Sequence, residues 1–377
     1  MMTLKRLIRQ ETVLTAAIVL AVLSAFAVHP DLQYIGYIDF RTLAILFSLM
    51  TVMAGLRRQG VFDSLGRALL ARAGGTLRLV LVLVGLCFFG SMFITNDVAL
   101  MTFVPFTFAV LDGLGEQIRH TLAPPVVCMQ TIAANLGSML TPIGNPQNLY
   151  LYGKSGMGMG EFVSLMLPYT VVSLGMLVLW ALLLCRGQTE HPAPSAAGRE
   201  QAVPDRRIAA LYGGLFAVCL LAVVRAVPYG LAFAAVLLCV FCADRATLRR
   251  VDYSLLLTFA AFFVFIGNLG RVPAFSAWLQ AIIAGREVPV AVLASQITSN
   301  VPAALLLSGF TDNTAALVIG TNLGGLGTLI ASMASLISYR QIAREMPGDK
   351  GRYFRLFTVS NVAFLTVLLA VWAGIAG

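Results

Sequence analysis

The sequence predicts an all-α polytopic membrane protein with two inverted-topology repeats, about nine spans, two re-entrant hairpins and two discontinuous helices. Three observations lead there. Of the 377 residues, 59% are hydrophobic and 11% charged, where soluble domains carry roughly a quarter charged residues. Apolar runs of spanning length recur from residue 12 to residue 376. A pattern of small polar residues also occurs twice inside apolar sequence. Thr95-Asn96-Asp97-Val98-Ala99 precedes Asn135-Leu136-Gly137-Ser138, and Ser299-Asn300-Val301-Pro302-Ala303 precedes Asn322-Leu323-Gly324-Gly325. Polar residues at membrane depth are costly and mark sites or pathways.

In chain order the expected spans are 12–28, 40–57, 121–152, 162–184, 208–225, 228–243, 253–270, 313–338 and 353–376, with 79–111 and 290–310 as hairpins. The basic residues fit this layout. With the N-terminus cytoplasmic, only Arg41, Lys154, Arg225, Arg271 and Arg286 of the 26 Lys and Arg fall outside. The C-terminus is then outside. The start of the chain resembles a secretory signal ending in Ala25-Phe26-Ala27, but the charge layout needs that run as the first span.

The duplication extends beyond the polar patches. Ile38-Asp39-Phe40-Arg41-Thr42-Leu43 matches Val251-Asp252-Tyr253-Ser254-Leu255-Leu256. A span, an Arg (Arg58, Arg271) and a Phe (Phe62, Phe275) follow each. The segments 60–75 and 273–286 then read as interfacial amphipathic helices. The repeats are 1–186 and 207–377, with a polar, Pro-containing cytoplasmic linker at 187–206. The extra span 208–225 places Asp252 on the opposite side from Asp39, so the repeats are inverted. Asp39 and Asp252 read as helix N-caps, and Arg58 and Arg271 as side chains snorkelling to the interface.

The net charge of +9 is the positive-inside signal and does not point to nucleic acid. The six cysteines lie in apolar runs and read as small buried hydrophobes. His29, His120 and His191 are too scattered for a metal site. The chain carries no Gly-Lys-Ser/Thr phosphate loop. Nothing in it pairs a nucleophile with a base, so an enzyme is not expected, and a channel fits paired re-entrant tips less well.

Irregular backbone at membrane depth survives only inside protein or along an aqueous cavity. Hairpins turning at Thr95-Asn96-Asp97 and at Ser299-Asn300 expose helix ends there, which attract ions of either sign. Capping or helix–helix hydrogen bonding is the plainer alternative. The segment from Ala134 to Pro146, with Asn135, Gly137, Thr141, Pro142, Gly144 and Asn145, aligns without gaps onto Thr321 to Met333, with Asn322, Gly324 and Gly325. Gly and Pro weaken both helices, so both are expected to unwind at Asn-Leu-Gly, freeing carbonyls for a small cation.

These motifs resemble the ion transporter superfamily, which includes divalent anion/sodium symporters, citrate transporter-like permeases, arsenite permeases and one branch of sodium/proton antiporters. The resemblance covers nearly the whole chain and is strongest over 91–150. It implies that Asn96 and Asn300 hold substrate carboxylates, with Thr95 and Ser299 beside them. It implies sodium near Asn96, Asn135, Asn300 and Asn322, with Gly137 and Gly324 shaping the cation sites, and an elevator-type movement. A homodimer is common in that superfamily. The third tip position departs from the symporter pattern: it is Asp97 in one repeat and Val301 in the other. Asn-Asp-x-Ala is closer to the arsenite permease and antiporter branches. Asp97 can bind sodium, carry a proton or repel an anion, or be a structural charge.

The expectation is an inner-membrane secondary transporter of a small anion, most simply a di- or tricarboxylate such as citrate or succinate. Na+ or H+ would be its coupling ion, with no other cofactor. Sodium/proton antiport and efflux of arsenite or a similar oxyanion are the alternatives.

Overall fold

The computed structural model describes residues 11–70, 74–186 and 205–376. Most of the expected linker, 187–204, lies outside the described residues. The first half contains α1 (Thr12–Ala27), α2 (Gln33–Tyr37), α3 (Phe40–Arg58), α4 (Val61–Leu70), α5 (Thr76–Gly90), α6 (Asn96–Asp112), α7 (Glu116–Ser138), α8 (Pro146–Ser155) and α9 (Met159–Cys185). The second contains α10 (Arg206–Val223), α11 (Tyr229–Ala243), α12 (Arg245–Leu248), α13 (Tyr253–Gly270), α14 (Pro273–Ile283), α15 (Glu287–Thr298), α16 (Asn300–Ser308), α17 (Thr314–Leu323), α18 (Met333–Glu345) and α19 (Lys350–Ala376).

Among the described residues, five uninterrupted helices are long and apolar enough to cross a membrane: α3, α9, α10, α13 and α19 with the turn before it. The other expected spans differ in kind. At 16 and 15 residues, α1 and α11 are shorter than the roughly 20 residues that cross a bilayer upright. The remaining two are interrupted, as α7–α8 and α17–α18. The arms of the second hairpin, α15 and α16, have 12 and 9 residues, about 18 and 14 Å of helix, too short to span.

Asp39 and Asp252 cap α3 and α13 with the same geometry. Each has φ −78°, and each carboxylate accepts from the main chain three residues on, at Thr42 and Leu255. The helices α4 and α14 occupy the two amphipathic segments. Leu65, Leu69 and Trp278 face outward, and Leu70, Leu279 and Ile283 are buried.

The arginines that end α3 and α13 do not simply snorkel. Arg58 pairs with Asp244, which also accepts from Tyr212 and Thr247, tying α3, α10 and α11 together. Arg271 pairs with Asp31 at 2.7 Å and donates to Tyr37 at 3.1 Å. In both cases a carboxylate remote in sequence offers a better partner than headgroup water.

At the centre lies α7, buried continuously from Leu122 to Ser138 and packed against α5, α6, α9, α18 and α19. The two sequence halves interlock. Beyond its break, each interrupted helix crosses to the other half: α8 packs on α16 and α17, and α18 packs on α6 and α7. A frame forms where α1 packs on α13, and α3 on α10 and α11. The outer faces are apolar, with Val171, Leu179, Leu183, Val359 and Val362 exposed. Such a face is stable against lipid tails and not against water.

Candidate functional site

The first break begins just past Asn135-Leu136-Gly137, and the second begins at the glycine of Asn322-Leu323-Gly324. Asn135 and Gly137 remain in α7, which ends at Ser138, and Asn322 remains in α17, with Gly324 as its C-cap. The irregular segments are 139–145 and 324–332. The shift at the first break has a steric reason, because Gly137, like Gly324, serves close packing. A Cβ at Gly137 would lie 2.0 Å from the Phe88 carbonyl oxygen and 2.7 Å from Ser91 Oγ, and one at Gly324 would lie 2.7 Å from Ser295 Oγ. Gly144 tightens the turn itself, since a Cβ there would lie 2.1 Å from the Ser138 carbonyl oxygen.

Equivalent positions make equivalent contacts. The Asn96 amide donates to the Gly144 carbonyl at 3.2 Å, and the Asn300 amide donates to the Ala331 carbonyl at 2.9 Å. Thr141 Oγ1 donates to the Met92 carbonyl at 2.5 Å, and Thr328 Oγ1 to the Gln296 carbonyl at 3.2 Å. Asn145 and Ser332, aligned positions, are both extended residues preceding a half-helix. Each hairpin tip is thus clamped to its own broken helix. The tips differ in strain. Ser299 has φ 78°, a region that L side chains rarely adopt, whereas Thr95 has φ −57°.

One cavity, about 50 Å³ in volume, is lined by Asn96, Asp97, Asn145, Gln147, Ser299, Asn300 and Ser332 together with residues of α1 and α13. An adjoining cavity of about 140 Å³ is lined by Thr95, Met101 and α3 residues, Arg57 among them, and by Arg250. The two share Asp97, Asn145, Pro146, Asp252 and Leu255. Asp97 therefore stands between them.

The first cavity is bordered by the first turns of α6, α8, α16 and α18. None of these four helices has a side-chain N-cap hydrogen bond. Asp39, Asp205, Asp252 and Asn313 do cap their helices in this way. Each helix start carries roughly half a positive charge, so four such ends meet at one place. The acidic side chains that line the same cavity are Glu11, Asp97 and Asp252.

Behind the lining lies an amide network. Asn135 Oδ1 accepts from Asn96 Nδ2 at 3.0 Å and from Ser332 Oγ at 2.9 Å. Asn145 Nδ2 donates to Ser138 Oγ at 2.6 Å. Asn148 Nδ2 donates to the carbonyls of Ser138 and Thr141, both at 3.3 Å. Several buried polar atoms have no protein partner: Asp97 Oδ1, Asn135 Nδ2, Asn322 Oδ1 and both amide atoms of Gln147. Each such atom costs about 1–3 kcal/mol unless a water or ligand meets it.

The structure thus gathers Asn96, Asp97, Asn145, Ser299 and Asn300 on one cavity and Thr95 on its neighbour. Asn135 lies one hydrogen bond behind. Thr321 is not brought to the cavity, because its hydroxyl donates to Leu317 within α17 at 2.7 Å. Asn96, Asn135, Asn300 and Asn322 do not form a single ring, since Asn322 binds Asn148 instead. Sequence reasoning passed over Gln147, Asn148, Ser332 and Gln296. The last braces the second break through the carbonyls of Gly324 and Leu326, both at 2.9 Å. A signal for two of them stood in the sequence: Asn145-Pro146-Gln147-Asn148 carries three carboxamides within four residues of an apolar run.

The model of the CitMHS family, described as citrate transporter, matches residues 7–334. The chain belongs to this family. Its fold is similar to that of the Alcanivorax borkumensis YdaH transporter, with a TM-score of 0.52 at 16% identity over 97% of both chains. Among sequence relatives, the inner membrane protein YbiR of Escherichia coli is 30% identical over 94% of this chain and 91% of its own length. The rice (Oryza sativa) silicon efflux transporter LSI3 is 33% identical over 46% of this chain and 36% of its own length. The chain is a multi-pass membrane transporter of the citrate transporter family.

Proposed function

We propose that the protein is a secondary active transporter of the inner membrane that moves a small anion, a di- or tricarboxylate such as citrate or succinate, coupled to Na+ or H+. One observation carries the anion reading: four helix N-termini without side-chain caps border a single cavity. Aligned helix dipoles favour negative charge at such a point. Asn96 and Asn300 supply amide donors to substrate carboxylates from opposite tips. Asp97 takes the coupling ion, which offsets its charge when the anion is present. Alternating access follows from movement of the two clamped hairpins against the frame of α1, α3 and α13. The matched contacts at Gly144 and Ala331, and at Met92 and Gln296, support two repeats related by inversion.

A second reading has its own observation. Glu11, Asp97 and Asp252 line the cavity while Arg57 and Arg250 stand in the neighbouring one. Three carboxylates favour a cation, a proton or an uncharged hydroxylated acid, and a relative carries the name silicon efflux transporter. Purified protein in proteoliposomes separates the two. Accumulation of labelled citrate or succinate under an inward Na+ or H+ gradient supports the carboxylate reading. No accumulation, with proton movement driven by a Na+ gradient or with efflux of silicic acid, supports the second.

A further inference from the structure

We infer that Gln147 is a specificity-determining residue that reads a hydroxyl on the transported anion, so that the cavity selects hydroxycarboxylates over their unsubstituted counterparts. The inference rests on the carboxylate reading above. Gln147 is the second residue of α8, is fully buried and lines the cavity between the tips. Neither Oε1 nor Nε2 has a protein partner. Exchanging the two atoms leaves that statement unchanged, so it does not depend on how the amide is placed.

The neighbours make the contrast. Asn145 donates to Ser138, and Asn148 donates to two carbonyls and accepts from Asn322. Both flanking amides are committed to the protein, and Gln147 is not. A carboxamide offers donors and an acceptor side by side. A bare carboxylate offers acceptors only: it satisfies Nε2 and sets a negative oxygen beside Oε1. Asp97 Oδ1 is a second buried acceptor without a partner on the same cavity. An occupant that completes the site must therefore bring a donor as well as acceptors. A hydroxyl next to a carboxylate does so within the reach of one amide.

The test compares pairs that differ by one hydroxyl: malate with succinate, and citrate with propane-1,2,3-tricarboxylate. Initial rates are measured in proteoliposomes containing the full chain. The wild type is expected to show kcat/KM at least about tenfold higher for the hydroxylated member of a pair. Gln147→Met keeps the length and removes both hydrogen-bonding atoms. It is expected to bring that ratio close to one, by lowering the hydroxylated substrate's value more than the other's. A wild-type ratio near one overturns the inference, and this readout needs no variant to fold. So does a Gln147→Met protein that slows all four anions alike with the ratio preserved, the behaviour of a merely structural amide. Transport of none of the four by the wild type overturns the carboxylate reading itself, an outcome distinct from equal transport within each pair.

Discussion

Asn322 Nδ2 donates to Asn148 Oδ1 at 2.6 Å, joining the last turn of α17 to the first turn of α8. The bond links the interrupted helix of one half to the half-helix that the other half sends across. It also commits Asn148, whose own amide holds the carbonyls at the first break. The pair is thus a joint between the two breaks. Alone, Asn148→Ala or Asn322→Ala is expected to cost about 1–3 kcal/mol, because each leaves a buried partner unpaired. The double variant is expected to cost less than the sum by about 0.5–3 kcal/mol. Thermal unfolding of the four detergent-solubilised proteins measures the cycle, and strict additivity would remove the joint from the account.

Asp97 is the ionisable side chain shared with Asp252 between two cavities, and one of its oxygens has no partner. Asp97→Asn preserves shape and removes the charge. Uptake in this variant is expected to lose its dependence on the Na+ or H+ gradient while counterflow exchange of substrate persists. Unchanged gradient dependence would reduce Asp97 to a structural role.

Gly137→Ala is expected to be the more damaging of two matched substitutions. Its Cβ meets the main-chain oxygen of Phe88 at 2.0 Å, whereas that of Gly324→Ala meets the Ser295 side chain at 2.7 Å and the Gly320 carbonyl oxygen at 2.8 Å, neither as closely. A backbone obstacle cannot rotate away, so a loss of about 1–3 kcal/mol or more is expected at Gly137. The melting temperature should fall further for Gly137→Ala than for Gly324→Ala. The reverse order would argue that the hairpin at Phe88 yields more easily than a side chain does.

Beyond the end of α11, burial raises the Asp244 carboxyl, but donors from Thr247, Tyr212 and Arg58 outweigh it and hold the group below the usual carboxylate range. A depressed folded-state pKa stabilises above the unfolded value, near 3.9, and the gain is lost as pH falls through the folded value. The wild type is therefore expected to exceed Asp244→Asn in stability by a constant margin at pH 5–8, with the margin closing below about pH 4. A margin unchanged at pH 3 would place the effect in packing instead.

Ser299 carries the left-handed φ of 78° at the second tip. Removing the side chain relieves that strain, so Ser299→Gly is expected to stabilise the protein by about 1 kcal/mol or to offset the loss of its weak 3.4 Å contacts. A clear fall in melting temperature would show that those contacts outweigh the backbone strain.

Much of this protein is legible from composition and local pattern. Apolar runs of sufficient length form helices whose outer faces tolerate lipid, because a helix satisfies its own backbone in the absence of water. The caps at Asp39 and Asp252, the turns at Thr95 and Ser299 and the clefted character of 134–146 and 321–333 are local events. They follow from residue chemistry within a few positions. Tertiary structure alone decided the rest. The first break moved past Gly137, which is consumed by packing against the hairpin at Phe88, while the second opens at Gly324. Arg58 met Asp244 and Arg271 met Asp31, and Glu11, Asp97 and Asp252 came to one cavity from three distant segments. The physical reason is that core and lipid are equally apolar, so hydrophobic pattern does not say which face of a helix turns inward or which helix it meets. Among Asn145, Gln147 and Asn148, only the packed fold separates the amides that bond to the protein from the one without a protein partner.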